Sequence, residues 1–277
     1  MNQVRIKWVF ILLFLVINLF LAYLLYQSHW RETSISEETA AHAVSVLEQR
    51  GVVVNGSLIP RGSEKMREVS VRNIIENSSA FVSRLPEAGW RREEEGFSRG
   101  KDRISFENGH FSYEGRLPVE ENASGDQLSR EVCKQLEQLS LNLEGIKLKT
   151  IEQLEAGTVL EYVQTYDGYE IFGTGLTVSV EKNEIISVQG IWLEPVNTRS
   201  KRQDTLFATE ALMRFAEDEK RPSTCRVTEI RSGYYISEID ESTDEAVAHK
   251  VMQMLPVFQI TASSGEKFYY DARSPRE

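Results

Sequence analysis

Nineteen consecutive residues, Trp8 to Tyr26, carry no charge, and Asn18 is the one strongly polar side chain among them. As a helix rising 1.5 Å per residue the run spans roughly 28 Å, close to the ~30 Å hydrocarbon core of a bilayer. A cleavable signal has a shorter apolar core, about 7–15 residues, followed by a small-x-small site. Ala22-Tyr23-Leu24-Leu25-Tyr26 offers no such site, so the run is expected to be an uncleaved transmembrane helix. Arg5 and Lys7 precede it, and Glu32, Glu37 and Glu38 follow. The positive-inside rule then puts the N-terminal tip in the cytoplasm and everything beyond the span outside it. Trp8 on one side, and Tyr23, Tyr26 and Trp30 on the other, fall where amphipathic rings prefer the membrane interface. No second apolar run approaches this length, so the expected localisation is a cell membrane, single-pass.

Charge separates the two parts of the chain. Residues 1–27 hold two of the 32 basic side chains and none of the 42 acidic ones, which leaves the remainder at a formal −12. Such a surface argues against nucleic acid and against direct binding to anionic lipid or wall polymers. Only Cys133 and Cys225 are present, without a CxxC, so neither redox catalysis nor a zinc knuckle is suggested. A disulfide between them stays open. Cys133 lies beside the apolar stripe of an expected helix, where a free thiol behaves as a small hydrophobe.

The exterior residues suffice for two modest domains, 28–118 and 126–277, joined by the polar stretch Pro118–Gly125. The first opens with a helix over 35–50: Ser34 and Glu37 have capping-box spacing, Ala40, Val44 and Leu47 share a face, and Gly51 stops it. Strand-like runs follow at 52–54 and 67–71, then a helix over 73–85 that presents Ile74, Phe81 and Leu85 and stops at Pro86. Alternation on both sides of Asn108-Gly109 marks a hairpin. The second domain reads as two successive helix-then-sheet units, 126–196 and 204–277. In the first, Leu128, Val132, Leu136, Leu139 and Leu143 form a helical stripe, and strands are expected at 145–154, 158–166, 169–181 and 184–194. In the second, Phe207, Ala208, Ala211, Leu212, Phe215 and Ala216 repeat the stripe before strands at 225–231, 233–239, 255–261 and 266–271. Strands interrupted by single helices indicate an α+β fold: an N-terminal transmembrane helix, then an extracytoplasmic part of helix-plus-antiparallel-sheet units.

Catalytic and cofactor motifs do not emerge. The histidines, His29, His42, His110 and His249, are scattered, with no HExxH. Gly96-Phe-Ser-Arg-Gly100-Lys101 is one residue short of a phosphate loop and has Asp102 where a magnesium-binding hydroxyl belongs, so it reads as a charged hairpin turn. Gly173-Thr-Gly175 lacks the third glycine of a dinucleotide loop and runs into a strand; paired glycines there mark a bend or bulge. No catalytic, cofactor or metal residue is assigned, and an enzyme is not expected.

Two features remain. Aromatic side chains gather in the C-terminal sheets, from Tyr162, Tyr166 and Tyr169 to Phe268, Tyr269 and Tyr270. Core packing is the plainer account of them, and a contact patch from their solvent-facing members is the other. In the span, Phe14, Asn18 and Ala22 lie four apart on one helix face. An amide beside a small residue suits association with another membrane helix.

The run into Asn18-Leu-Phe-Leu-Ala-Tyr23, the stretch Tyr162-Val-Gln-Thr-Tyr-Asp-Gly-Tyr-Glu-Ile-Phe172 and the close at Phe268-Tyr-Tyr-Asp271 resemble the YycI family. These are membrane-anchored regulators encoded with the WalK/WalR two-component system. The resemblance implies an exterior α+β module related to the companion YycH protein. It also implies a complex with that protein and with a WalK-like sensor kinase, through the transmembrane helix and the exterior domains. The consequence would be modulation of cell-wall metabolism, with no catalytic residues to carry over. The positions matching the membrane contact are Phe14, Asn18 and Ala22. The alternative from the residues themselves is an anchored peptide- or glycan-binding module.

Overall fold

The computed structural model describes residues 2–73, 89–93, 96–107, 109–120, 123, 125–139, 141–197, 201–236 and 251–274, with backbone alone for 2–6, 9–10, 25–33 and 197. Along the chain run α1 (Asn2–Thr33), α2 (Glu37–Gln49), β1 (Val52–Val53), β2 (Lys65–Met66), β3 (Val69–Asn73), β4 (Arg91–Glu93), β5 (Gly96–Arg99), β6 (Asp102–Glu107) and β7 (His110–Pro118). Then come α3 (Asp126–Gln138), β8 (Ile146–Gln153), β9 (Thr158–Tyr166), β10 (Tyr169–Glu181), β11 (Glu184–Ile191), β12 (Leu193–Asn197), β13 (Gln203–Asp204), α4 (Ala208–Glu217), β14 (Cys225–Tyr235), β15 (Met252–Ala262) and β16 (Lys267–Asp271). This is α+β, with antiparallel pairing dominant, as expected. The helix expected over 73–85 falls mostly on residues outside those described.

The uncharged N-terminal run lies within one continuous helix, α1. Among the described residues no helix is long and apolar enough to cross a membrane. The helix expected there is present; its crossing of a bilayer rests on the sequence.

The chain divides into two compact units, residues 1–66 with 203–231 and 258–277, and residues 67–202 with 232–257. This is a different partition from 28–118 and 126–277, and the reason lies in pairing. β7, which precedes the polar stretch, hydrogen-bonds to β11, which follows it (Val188 opposite Tyr113). Val119, at the start of the expected linker, is buried and donates its N–H to Asn183 O.

In the first unit α2 begins at Ser36, whose Oγ accepts the Thr39 N–H at 3.1 Å, so the cap is not the Ser34/Glu37 pair. Ser34 instead bridges to Gly62. Gly51, with φ 80°, ends the helix, and a Cβ there would lie 2.5 Å from Ser223 O. Ala40, Ala43 and Leu47 of α2 are buried, and Leu47 joins Ala211, Leu212 and Phe215 of α4, Val52, Cys225 and Ile260 in one core. All of the predicted α4 stripe except Phe207 is buried. β1 runs parallel to β14, Val52 opposite Cys225, so segments far apart in sequence complete this core.

In the second unit an antiparallel sheet runs β8-β9-β10-β11-β7-β6-β5-β4. Helix α3 packs Leu128, Val132 and Leu136 against Ile104, Tyr113, Leu160, Tyr162 and Val178 of this sheet. The run 96–101 is β5 and the two-residue hairpin turn Gly100-Lys101 that follows it, with Arg99 opposite Asp102 and Gly100 at φ 63°. Alternate residues Leu176, Val178 and Val180 face the core as expected. On β11 Ile185 and Val188 are buried and Ile186 is not, because the register shifts between Ile185 and Ser187 and breaks the alternation. The expected strands 225–231 and 233–239 begin as one, β14. Gly233 is not a turn there: a Cβ on it would meet the Phe172 ring at 2.5 Å and Glu170 O at 2.7 Å. The glycine admits a close approach.

Candidate functional site: an exposed helix face and a cleft at the β9–β10 turn

On α1 the described side chains at 7–8 and 11–24 are all exposed, and Phe14 retains 70% of its accessible surface. Phe14, Asn18 and Ala22 succeed one another along one face of this helix. The Asn18 amide donates from Nδ2 to Phe14 O at 2.8 Å, one turn back in its own helix. That bond uses one of the amide's two N–H groups and leaves Oδ1 and the second N–H to face outward. Phe14, Asn18 and Ala22 are thus exposed, like the other described side chains of α1, and Asn18 keeps hydrogen-bonding capacity.

The second candidate follows from a break in the sheet. β10 pairs with β9 at its start, Tyr169 opposite Tyr166 and Glu170 opposite Thr165, and then only from Gly175, opposite Val163. In the gap Glu170 and Ile171 pair in parallel with Gly233 and Tyr234 of β14. Gly173 at φ 80° and Gly175 at φ 148° supply the bend expected of paired glycines. Where the strands part, a cleft of about 420 Å³ opens. Val71, Ile171, Leu193 and Pro195 give it apolar walls, and Asn142, Glu144, Tyr166 and Asp167 give it polar ones.

The residues around the cleft are held by the stretch that carries the family resemblance. Gln164, buried, donates from Nε2 to Leu193 O at 2.6 Å and accepts the Leu193 N–H at Oε1 at 3.1 Å. Thr165 donates both its N–H (2.7 Å) and its Oγ1 hydroxyl (2.8 Å) to Gly145 O. Tyr162 donates to Ser129 on α3 at 3.1 Å. Asp167 and Gly168, both at positive φ, form the two-residue turn between β9 and β10. Asp167 is gripped by Arg67 at 3.2 Å and Arg202 at 3.1 Å. Tyr166 rests edge-on against Tyr234. Burial pushes the Tyr166 phenol up, Asp167 adds to that, and Arg67 and Arg202 oppose it. Burial likewise pushes Tyr234 up to about 12, so both hydroxyls are neutral at physiological pH.

Core packing accounts for five of the eleven aromatic residues that the C-terminal sheets gather between Tyr162 and Tyr270. Tyr162, Phe172, Trp192, Tyr234 and Phe258 are buried and the other six are half-buried, none of them exposed. Cys133 and Cys225 are free thiols. Sequence reasoning gave no sign of the Gln164–Leu193 clamp or of the Arg67–Asp167–Arg202 cluster, since their partners lie 29 to 100 residues away. The one local signal was Asp-Gly between two alternating runs.

Among solved structures, an uncharacterized protein from Eubacterium rectale is 12% identical, with 82% of this chain and 90% of that one aligned at a TM-score of 0.49. The C-terminal domain of Bacillus megaterium YpeB is 11% identical, over 87% of this chain and 95% of that one, at a TM-score of 0.32. No curated protein sequence matches the chain. The family profile described as YycI protein matches residues 31–270. That match covers most of the chain, from before α2 into β16, and on it the chain belongs to the YycI family.

Proposed function

We propose that the chain is a membrane-anchored, extracytoplasmic regulator of a two-component sensor histidine kinase controlling cell-wall metabolism, working by protein contacts and not by catalysis. The observation that carries this reading is membership of the YycI family, a regulatory family, over residues 31–270. The partners are a WalK-like kinase and a YycH-like companion. The N-terminal helix is the single-pass anchor, with residues 1–27 as cytoplasmic tip and span. Its exposed face through Phe14, Asn18 and Ala22 supports a helix contact within the membrane. A regulator of this kind must bind two kinase arrangements unequally, since equal binding shifts no equilibrium. Replacing Asn18 and Ala22 together by leucine removes the amide and the close approach while keeping the helix apolar. Co-purification with the kinase should fall and reporter output should change. Unaltered co-purification together with unaltered output would sink the helix-contact mechanism.

The cleft at the β9–β10 turn favours a second reading, an anchored peptide- or glycan-binding module with the helix as a tether. Exchange of residues 1–27 for an unrelated span separates the two. A tether tolerates the exchange, and a helix partner does not.

A further inference from the structure

We propose that the cleft at the β9–β10 turn binds a ligand carrying a primary ammonium group on an apolar stem, as a peptide presents at a lysine side chain or at its free N-terminus. The proposal goes beyond the kinase reading and does not depend on it.

Size comes first. At about 420 Å³ the cleft lies within the range of small-ligand sites, about 300–1,000 Å³. Its walls from Val71, Ile171, Leu193 and Pro195 suit methylene groups, not a fully polar ligand. A strand added along β12 is disfavoured, because the Gln164 amide already holds both the N–H and the carbonyl of Leu193. Recognition therefore falls to side chains.

Charge then selects the head group. Among the described residues no lysine or arginine lines the cleft. Asp167 lines it, but its two oxygens are engaged by Arg67 and Arg202. The Glu144 carboxylate has no ion-pair partner among the described residues, and its backbone N–H is fixed by Asn142 Oδ1 at 3.1 Å. Tyr166 presents a neutral hydroxyl that makes no hydrogen bond to the described residues. The uncommitted polar groups are thus the Glu144 carboxylate, the Tyr166 hydroxyl and the Asn142 Nδ2 amide, and the one charge among them is negative. A carboxylate or phosphate would meet Glu144, with no cation among the described lining residues to offset it. An ammonium brings three donors and the complementary charge.

The lining also coincides with the family-resembling stretch: Gln164 to Gly168 and Ile171 all belong to it. Gln164 and Thr165 have structural work in hand, whereas the Tyr166 hydroxyl has none.

The test uses the full chain in non-ionic detergent, without kinase, titrated by ligand-observed saturation-transfer NMR. N-acetyl-lysine amide supplies a side-chain ammonium and leucine amide an α-ammonium, and the tighter of the two identifies the source. N-acetyl-norleucine amide keeps the stem and drops the charge. Saturable binding of at least one charged probe is expected, with the norleucine probe several-fold weaker. Glu144→Gln should weaken the charged probe about threefold, the scale of a solvent-accessible ion pair. Tyr166→Phe should weaken it by a similar factor. Glu144 is exposed, so Glu144→Gln should leave the unfolding midpoint unchanged. Norleucine binding as tight as the charged probes, no saturable binding by either charged probe, or full affinity in Glu144→Gln would overturn the proposal. Because kinase is absent, such a failure leaves the regulatory reading untouched, and failure of the anchor experiment leaves this one untouched.

Discussion

Gln164 holds Leu193 by both ends of its amide, donating to the carbonyl at 2.6 Å and accepting the N–H at 3.1 Å. Both residues are buried, so neither backbone group of Leu193 has water to fall back on. Gln164→Leu adds apolar volume yet strands a buried donor and a buried acceptor, each worth about 1–3 kcal/mol. The variant should lose about 2–5 kcal/mol of stability in urea unfolding. A variant as stable as the parent would mean that β12 finds other partners.

Asp167 offers a cleaner separation of charge from backbone. At φ 52° it lies in the left-handed region, which asparagine also enters readily. Asp167→Asn should therefore keep the turn and lose only the pairing with Arg67 and Arg202. These side chains keep 24% and 50% of their exposure, so solvent screens the loss. It is expected at about 1 kcal/mol, shrinking when salt is raised to about 0.5 M. Asp167→Ala should cost roughly a further 1 kcal/mol that salt does not remove, because alanine is strained at this φ. Thermal unfolding of the two variants at low and high salt checks both statements.

The elements themselves were legible where periodicity is unbroken. Leu128, Val132 and Leu136 repeat at four, and Leu176, Val178 and Val180 alternate; each set is buried as its period demands. Legibility failed where a backbone irregularity resets the period. Plain alternation from Val188 would put Ile186 inside, but one register shift turns Ile185 inward instead. Two strands were expected, 225–231 and 233–239, yet 225–235 is one strand, with Gly233 a point of close approach within it. Long-range assembly left no local trace. Val52 opposite Cys225 completes a core from two ends of the chain, and nothing in either segment names the other. The cleft was illegible for the same reason: its walls come from Val71, Asn142, Gln164 and Leu193, positions that only folding unites.

Tyr270 and Asp218 provide a pH-dependent contact in the first unit. The Asp218 carboxylate accepts the Lys220 N–H at 2.9 Å and the Tyr270 hydroxyl at 2.8 Å, and these, in that order, hold its pKa below the usual carboxylate range. A carboxyl depressed in the folded state contributes stability that is complete above its unfolded pKa, about 3.9, and is lost as pH falls through the folded value. Tyr270→Phe removes one of the two donors. The stability gap between parent and variant should be level from about pH 5 to 8 and narrow below about pH 4. The Tyr270 phenol itself is pushed up, by burial first and by its bond to Asp218 second. Stability tied to that neutral phenol is complete below about pH 10 and is lost as pH rises further. The gap should therefore close at the alkaline end as well. A gap independent of pH from 3 to 8 would refute the acid arm of this account.

Cys225 tests whether the thiols serve packing or pairing. It is free and only 5% exposed, in a core with Leu47, Val52 and Phe215. Cys133 is free and half-buried, and burial is the main cause of the raised pKa of both thiols. Because the thiolate is the reactive form, alkylation of the native chain at pH 8 should be slow, with Cys133 ahead of Cys225, and should become fast and equal in urea. Substitution then separates the roles. If Cys225 acts as a small hydrophobe, Cys225→Ala should cost little, while Cys225→Ser brings a hydroxyl into an apolar core at about 1–3 kcal/mol. Loss of a disulfide would make the two substitutions similarly costly, and each would match the cost of reducing the parent. A clear order, serine worse than alanine and the parent unmoved by reductant, is the outcome that this core requires.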